Sequence, residues 1–206
     1  ARLQMLANNI DNVDLVLFTH AHADHIMGFD DIRVINWLKG ESVPCYGNKE
    51  TLDKIRNTFD YIFDPIQIGG GIPQVTLNPI ANEFSFDDIY ITPLTVKHGK
   101  LDVLGYKIKN IAYITDCSFI PEKTFDLIKD IDILIIDALR FKEHPTHMNL
   151  EEAIQVVKKV DVKKAYFTHI SHEMEHEKVN NMLPENMELA YDGLCLKINK
   201  KGVKED

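Results

Sequence analysis

Residues 15–29 read LVLFTHAHADHIMGF, and this stretch decides the expected fold and site. An apolar, strand-like run ends in four metal-competent side chains, His20, His22, Asp24 and His25. Alternate residues of an extended turn point the same way, so His20 and His22 can hold one metal ion together. Asp24 and His25 follow where the chain turns, and they can hold a second ion. Imidazole and carboxylate suit zinc, manganese or iron, and the alternative is a solvated polar loop after a strand.

Buried strands are predicted where β-branched residues, leucine and tyrosine cluster before a polar residue. These runs are Val13–Thr19, Ile89–Val96, Ile111–Thr115, Ile131–Ile136 and Lys164–Thr168. The polar residues that follow them are His20, His98, Asp116, Asp137 and His169. Because α/β proteins build their sites where strand ends face one edge of a sheet, these positions predict a functional site.

Helices are predicted between the strands from their capping residues. They run from Asn48 to about Thr58, Pro121 to about Lys129, Asn149 to about Lys159, and Glu173 to Met182. Glu152 stands three residues after Asn149, which is the spacing of a capping box. The alternation of strands and helices indicates an α/β layered fold, and Gly69–Gly71 indicates a loop.

Length and composition limit the class of protein. The chain has 206 residues, 45% of them hydrophobic, which suits a single domain over 1–206 with a sizeable core. Three widely separated cysteines argue against a disulfide framework and for the reducing cytoplasm. No apolar run approaches the roughly 20 residues of a membrane span. We expect no signal peptide, because Ala1 to Asn9 carries one arginine and no apolar block of sufficient length.

The net charge of −9 limits the expected partners. An acidic surface disfavours nonspecific binding to nucleic acids and membranes, so we expect neither as a stable partner. A small phosphate-containing substrate remains compatible with this charge, because bound divalent cations can reverse the field locally.

The HAHADH segment resembles the HxHxDH signature of the metallo-β-lactamase superfamily. The resemblance implies an αββα sandwich and a hydrolase with two divalent ions, zinc or manganese, with iron or nickel as alternatives. It also implies three later ligands, His98 in LTVKHGK, Asp116 in AYITDCS and His169 in YFTHISH. The implied division places one ion on His20, His22 and His98 and the other on Asp24, His25 and His169, with Asp116 bridging both.

Each of the three later positions also has an ordinary structural explanation. A lone histidine after a strand is more often a hydrogen-bonded structural residue than a ligand. Asp116 could form a turn, since Asp-Cys-Ser is turn-like. The bridging role fits better, because a bridging carboxylate lets two cations sit about 3.5–4 Å apart. The motif and the order of the ligands favour metal binding at all three positions.

Within the superfamily the chain is most similar to the PhnP type, the phosphoribosyl cyclic phosphodiesterases. The matching segments are TPLTVKHGKLDVLGYKI, TDCSFIPEKTF and FTHISHEMEHEKVNNMLPENMELAYDGL. The resemblance implies a general acid before the penultimate helix, which falls on His147 in HPTHMNL, with His144 as the nearby alternative. A polar loop residue at a helix start is the competing explanation for His147. Asp24 and Asp116 are counted as catalytic residues as well as ligands.

The chain departs from the family pattern at its start. Members open with two or more strands, a glycine-rich segment and, in many cases, clustered cysteines. Those cysteines bind a structural zinc with a later histidine, whose counterpart here is His172. Because ARLQML resembles a point beyond these features, we expect an N-terminally incomplete domain in which His172 is a remnant ligand or simply polar. An uncovered sheet edge would favour oligomers, and a homodimer is one expectation.

The sequence therefore predicts a dinuclear metal-dependent phosphodiesterase acting on a small, cyclic ribose or nucleotide phosphodiester. Candidates for holding the substrate are Arg33, Arg140 and His144, whereas surface solvation is the preferred interpretation of Lys100. The alternatives are hydrolysis of a thioester, a lactone or an RNA 3′ end on the same fold, a non-catalytic metal-binding protein and a di-iron redox module. The charge disfavours RNA processing, and a complete ligand set disfavours a non-catalytic protein.

Overall fold

The computed structural model describes residues 2–64, 71–199 and 202–205. The chain forms two compact units, Ala1–Ala81 and Asn82–Asp206, called here the first and second units. Of the predicted loop, Gly69 and Gly70 lie outside the described residues, and Gly71 belongs to no helix or strand. No helix in the described part of the chain has the length and apolar character that crossing a bilayer requires.

The described residues of the first unit form a small parallel sheet and five short helices. The strands, in the spatial order β1-β2-β3, are β1 (Val16–Leu17), β2 (Val43–Gly47) and β3 (Val75–Pro79). The helices are α1 (Arg2–Ala7), α2 (Ala23–Ile26), α3 (Ile32–Lys39), α4 (Lys49–Thr58) and α5 (Asp60–Phe63), with a 3₁₀ turn at Phe29–Asp31. An apolar cluster that includes Phe18, Val43 and Ile55 holds this unit together.

The strand before the metal motif is shorter than the apolar run Val13–Thr19 predicts. Only Val16 and Leu17 pair with β2, and one further hydrogen bond joins the Phe18 amide to the Tyr46 carbonyl. As an edge strand, β1 has a single neighbour. The apolar run therefore reflects burial against the core more than ladder pairing.

The second unit contains a seven-stranded mixed sheet. Its strands are β4 (Phe84–Phe86), β5 (Ile89–His98), β6 (Leu101–Ile108), β7 (Ile111–Ile114), β8 (Ile133–Asp137), β9 (Lys164–Thr168) and β10 (Met187–Leu189). They lie side by side in the order β10-β9-β8-β7-β6-β5-β4. A separate hairpin joins β11 (Leu196–Asn199) to β12 (Gly202–Glu205), and the helices are α6 (Glu122–Ile128), α7 (Leu150–Val160) and α8 (His176–Asn180).

The direction of the strands brings four predicted strand ends to one edge of this sheet. Strands β7, β8 and β9 run parallel, and β5 shares their direction because β5 and β7 are both antiparallel to β6. The residues at or just beyond these ends are His98, Asp116, Asp137 and His169. Side chains from the same strands, Leu94, Ile114, Ile136 and Phe167, are fully buried in one core cluster and fix the strands beneath this edge.

Three of the four predicted helices are confirmed, within about two residues at their ends. Asn48 caps α4 by accepting a hydrogen bond from the Thr51 amide at 2.8 Å. Pro121 stands at the N-cap of α6. The fourth predicted helix, Glu173–Met182, is reduced to the five residues of α8.

The capping box at α7 is also confirmed. The Asn149 side chain accepts from the Glu152 amide at 2.9 Å, and the Glu152 carboxylate accepts from the Asn149 amide at 2.8 Å. Asn149→Ala is expected to lower the free energy of unfolding by about 1 kcal/mol, because one helix-end amide loses its partner. Thermal unfolding should show the melting temperature falling by about 2–4 °C. Asn57→Ala, at an exposed position of α4, is the control, and equal losses in both variants would contradict the capping role.

Burial separates the three cysteines into two classes. Burial raises the pKa of Cys45 and of Cys117 to about 12, whereas Cys195 is exposed. Because the thiolate is the reactive form, we expect only Cys195 to react quickly with a disulfide reagent at pH 8. A disulfide reagent that releases a chromophore gives the number of reacting thiols, and measuring it before and after denaturation tests this expectation. Fast reaction of all three thiols in the native protein would show that the buried positions are open to solvent.

Candidate metal centre

His20 and His22 lie in the turn between β1 and α2 of the first unit. His20 is buried, and its Nε2 lies 3.0 Å from Nδ1 of His22. Two nitrogens on one tetrahedral zinc, each about 2.0–2.1 Å from the ion, lie about 3.3 Å apart. The structure thus brings these two rings together at a spacing that one ion can occupy with little adjustment. The Thr19 hydroxyl lies 3.1 Å from Nδ1 of His20 and helps to orient the ring.

Asp24 and His25 lie on α2, which begins directly after His22. Asp24 Oδ2 is 3.4 Å from His25 Nε2, and the His25 ring centroid is 4.2 Å from that of His20. The turn of the helix therefore places an aspartate and a histidine beside the first pair. The contacts His20–His22, His20–His25 and Asp24–His25 thus join the four side chains of the HAHADH segment within the first unit.

Asp116 lies at the centre of the candidate site in the second unit. It follows β7, is only 2% exposed and has a φ of +50°. A non-glycine residue in this left-handed region stores about 1–3 kcal/mol of strain, which is found mostly at functional sites. The Thr115 hydroxyl donates to Asp116 Oδ1 at 2.9 Å. A buried carboxylate at a strained position suits binding to a cation, which offsets the cost of its burial.

His98, the last residue of β5, is buried beside Asp116. Its Nδ1 lies 2.7 Å from the Thr146 carbonyl oxygen, which can only accept, so Nδ1 donates. This hydrogen bond puts the lone pair of the neutral ring on Nε2, which faces Asp116 Oδ2 at 3.9 Å. Metal-binding histidines usually donate their second ring N–H in this way, so the environment of His98 fits a ligand.

His169 approaches the other oxygen of Asp116. It follows β9 with a φ of +58°, and its Nε2 lies 3.3 Å from Asp116 Oδ1. The two carboxylate oxygens of Asp116 therefore face two different histidines, Oδ1 towards His169 and Oδ2 towards His98. This arrangement is what a carboxylate that bridges two ions requires.

His147 joins this group from the loop before α7. It is buried, and its Nε2 lies 3.9 Å from Asp116 Oδ2. Its ring stacks on that of His169, with centroids 4.9 Å apart and planes inclined by 15°. The Met148 amide donates to the Cys117 carbonyl at 2.7 Å and holds the loop against the residue after Asp116.

Asp137 is a functional candidate to which the sequence analysis assigned no role. It ends β8, is 0% exposed, and its Oδ2 lies 3.0 Å from His147 Nδ1. The ligand atoms of Asp137, His147 and His169 all lie within 4.8 Å of one another. Its position at a strand end was visible in the sequence, but its complete burial beside a histidine ten residues later was not.

Arg140 and Arg33, both predicted to hold substrate, contact their own neighbours. The Arg140 guanidinium donates to the carbonyls of Lys142 and Glu143 at 3.2 and 2.8 Å, so it shapes the loop that carries His147. Arg33 is half-exposed and pairs with Asp30 at 3.4 Å in the first unit. His172, the candidate remnant ligand, is exposed in the second unit.

His144 lies on the same loop as His147. Its Nδ1 accepts a hydrogen bond from the Thr146 amide at 3.3 Å, and its ring centroid is 5.0 Å from that of His147. Partial burial and, secondarily, the neighbouring His147 lower the pKa of His144 below the ordinary value of 6.5. The neutral ring with Nδ1 as acceptor carries its proton on Nε2, so His144 can donate one hydrogen bond to a substrate oxygen.

The histidine and aspartate clusters of both units fit a metal site. Each cluster offers imidazole nitrogens and carboxylate oxygens at short separations, which are the donors that zinc, manganese and iron accept. In the second unit, His98 has the outer hydrogen bond typical of a ligand, and Asp116 offers an oxygen to each of two histidines. His147 and Asp137 add a hydrogen-bonded histidine–carboxylate pair beside these candidate ligands.

Comparison with known proteins gives consistent matches. The sequence profile of the family described as "Beta-lactamase superfamily domain" matches residues 1–170. An octanoyltransferase of Porphyromonas gingivalis (strain ATCC BAA-308 / W83) is 35% identical over 209 residues, which cover 98% of this chain and 42% of that protein. The exodeoxyribonuclease YycJ of Bacillus anthracis is 24% identical over 136 residues, or 63% of this chain and 46% of that protein. The chain thus spans less than half the length of these curated relatives.

One solved structure is similar over nearly the whole chain. It is described as a new diphosphatase from the PhnP family, with 36% sequence identity and a TM-score of 0.88. The match covers 96% of this chain and 76% of that one.

Proposed function

The chain belongs to the metallo-β-lactamase superfamily as a PhnP-like member, and from this premise we propose that it is a metal-dependent phosphodiesterase. Members of this fold family are metal-dependent hydrolases. The substrate that we propose is a small, cyclic phosphodiester of a ribose or nucleotide. The net charge of the protein, −9, favours such a small substrate over a nucleic acid or a membrane surface.

The observation that carries the proposal is the position of His147. Its Nε2 lies 3.9 Å from Asp116 Oδ2, and its Nδ1 is held by Asp137 at 3.0 Å. An alkoxide is a poor leaving group and needs a proton, which a positioned histidine supplies. A thiolate leaves readily without one because its conjugate acid is far stronger. A buried histidine at this place therefore favours an ester with an alkoxide leaving group over a thioester.

The metal ligands are part of the proposal. Two divalent ions, with zinc or manganese as the first candidates, would be held by seven side chains inferred from the sequence motif and the family resemblance. These side chains are His20, His22, Asp24, His25, His98, Asp116 and His169. Such ions, when bound, neutralise phosphate oxygens and make a water molecule acidic enough to attack near neutral pH. The protein's own groups orient the ligands, as Thr146 does for His98, and transfer the proton.

The remaining steps are assigned to groups around His147. His147, as imidazolium with a hydrogen on both ring nitrogens, would give its Nε2 proton to the departing oxygen and become neutral. His144 would donate a hydrogen bond from Nε2 to a substrate oxygen. Arg140 shapes the loop and supports both histidines indirectly, through its bonds to the carbonyls of Lys142 and Glu143.

The names of the relatives support phosphorus chemistry more than acyl chemistry. The diphosphatase, at 36% identity, matches 96% of this chain. The octanoyltransferase suggests acyl transfer, but more than half of that protein lies outside the match. The name of the exodeoxyribonuclease, at 24% identity, also indicates phosphorus chemistry. We therefore rank phosphodiester hydrolysis first and acyl-ester hydrolysis second.

A substrate panel tests this ranking. The protein, reconstituted with zinc or manganese, is assayed with bis(p-nitrophenyl) phosphate, adenosine 2′,3′-cyclic phosphate and octanoyl-coenzyme A. We expect turnover of both phosphodiesters, its loss after chelation and its return when metal is added back. Hydrolysis of the thioester alone, or turnover that survives chelation, would contradict the proposal.

A further inference from the structure

Asp137 makes two hydrogen bonds with a single carboxylate oxygen. Its Oδ2 lies 3.0 Å from Nδ1 of His147 and 3.0 Å from the backbone nitrogen of Cys117. The side chain is 0% exposed, at the end of β8. Its other oxygen, Oδ1, is buried without a hydrogen-bond partner among the described residues, and the nearest ring nitrogen is His169 Nδ1 at 3.8 Å.

These two bonds join the proposed acid to the candidate bridging ligand. Cys117 follows Asp116 directly, so the bond to its amide holds the turn in which Asp116 takes its left-handed conformation. The bond to Nδ1 holds the His147 ring. One buried carboxylate thus sets the position of His147 relative to Asp116.

The first bond also determines which ring nitrogen of His147 faces Asp116. A carboxylate oxygen accepts, so Nδ1 of His147 carries a hydrogen. Nε2 is then the nitrogen directed to Asp116 Oδ2, 3.9 Å away. As an acid the ring is imidazolium, with a hydrogen on each nitrogen, so Nδ1 stays bonded to Asp137 while Nε2 carries the proton to be donated. A rotated ring would not direct Nε2 to a leaving group.

We propose that Asp137 is a positioning residue that holds Nδ1 of His147, so that Nε2 is the ring nitrogen that carries and donates the proton to the leaving group. The inference rests on the proposed function, because it assumes that His147 acts as the acid. Asp137 acts through His147 and through the turn at Cys117.

Because the Cys117 amide requires an acceptor, we expect asparagine to be able to replace Asp137. An N–H group requires an acceptor, so in Asp137→Asn the amide oxygen should take the place of Oδ2 and accept from both donors. The amide nitrogen would then face Nδ1 of His169. Alanine offers no acceptor at all and leaves the Cys117 amide and His147 Nδ1 without their partner.

The kinetic test compares leaving groups. For Asp137→Ala we expect turnover of adenosine 2′,3′-cyclic phosphate, which expels an alkoxide, to fall by about 10²-fold or more. Turnover of bis(p-nitrophenyl) phosphate, whose leaving group needs no proton, should fall less than about tenfold. Asp137→Asn should recover most of the lost activity, and the loss should appear in kcat with little change in KM. Asp132→Ala is the matched control, since Asp132 precedes β8 at its opposite end and pairs with Lys163 at 2.6 Å.

Two further measurements do not depend on activity. In ¹⁵N-histidine spectra of the metal-loaded wild-type protein, neutral His147 should show the tautomer with its proton on Nδ1. The metal content of Asp137→Asn should equal that of the wild type, because Asp137 is not a proposed ligand and asparagine keeps an acceptor for the Cys117 amide that holds the Asp116 turn. The tautomer measurement needs no variant, so it decides the question even where Asp137→Ala fails to fold.

These measurements distinguish the positioning role of Asp137 from the acid role of His147. A leaving-group effect in His147→Ala without one in Asp137→Ala overturns the positioning role and leaves the acid role standing. No leaving-group effect in His147→Ala overturns the acid role itself. A proton on Nε2 of neutral His147, or loss of metal from Asp137→Asn, also overturns the inference.

Discussion

Asp116→Asn is expected to remove at least one metal ion per chain and to reduce turnover of a phosphodiester by more than about 10³-fold. Loss of an ion removes several kcal/mol of charge stabilisation, and about 1.36 kcal/mol corresponds to a tenfold change in rate. Asparagine tolerates the left-handed backbone that Asp116 adopts, so the substitution changes mainly the charge. Metal analysis by mass spectrometry and steady-state rates measure the two effects.

Asp102→Asn provides the control for this experiment. Asp102 lies on β6 near His98, but it is half-exposed and pairs with Lys97 at 2.7 Å. Its variant should keep both the metal and the activity. Full metal content in Asp116→Asn would mean that Asp116 bridges nothing.

His147→Ala is expected to slow hydrolysis of adenosine 2′,3′-cyclic phosphate by about 10²–10⁴-fold while the metal content stays unchanged. The reason is that the leaving alkoxide then lacks a positioned proton donor. The effect on bis(p-nitrophenyl) phosphate should be less than about tenfold, because its leaving group departs without protonation. Paired rate measurements on the two substrates, together with metal analysis, test the expectation.

His176→Ala serves as the control for the loss of a half-buried histidine. Its Nε2 lies 3.1 Å from the Leu189 carbonyl, so His176 supports the fold and has no place in the proposed chemistry. Its variant should lose stability and keep the same ratio of rates on the two substrates. A full rate for His147→Ala on the cyclic nucleotide would assign the proton to another donor.

The structural features predicted best from the sequence are those that depend on local sequence patterns. The HAHADH turn, the Asn149 capping box and the apolar runs that became β5, β7, β8 and β9 each depend on residues close together in the chain. Family resemblance then supplied His98 and His169, which are single histidines after strands and say little alone. The structure brings these two to opposite oxygens of Asp116.

The parts that escaped prediction depend on contacts between distant residues. Strand β6 carries a lysine, an aspartate and Gly105 among its eight residues, so its pattern is not that of a buried strand. It forms because β5 and β7 pair with it on both sides. Asp137 escaped for the same reason, since its role depends on a histidine from a loop and an amide from another strand end.

The role of Arg140 shows a different limit of sequence reasoning. An arginine near a predicted site suggests binding of an anion, and nothing local distinguishes that role from one in the loop itself. The structure shows its guanidinium bonded to two carbonyls of the same loop. Every residue has a backbone carbonyl acceptor, so the sequence does not indicate which carbonyls an arginine will contact.

The positive φ angles of Asp116 and His169 have a consequence for how this protein would respond to selection. Glycine adopts such angles without strain, so a glycine at either position would relieve about 1 kcal/mol or more. Selection for heat resistance alone would therefore favour sequences that replace the two proposed ligands, and only a simultaneous demand for turnover would retain them. At Asp116 and His169, stability and the proposed metal binding are expected to compete.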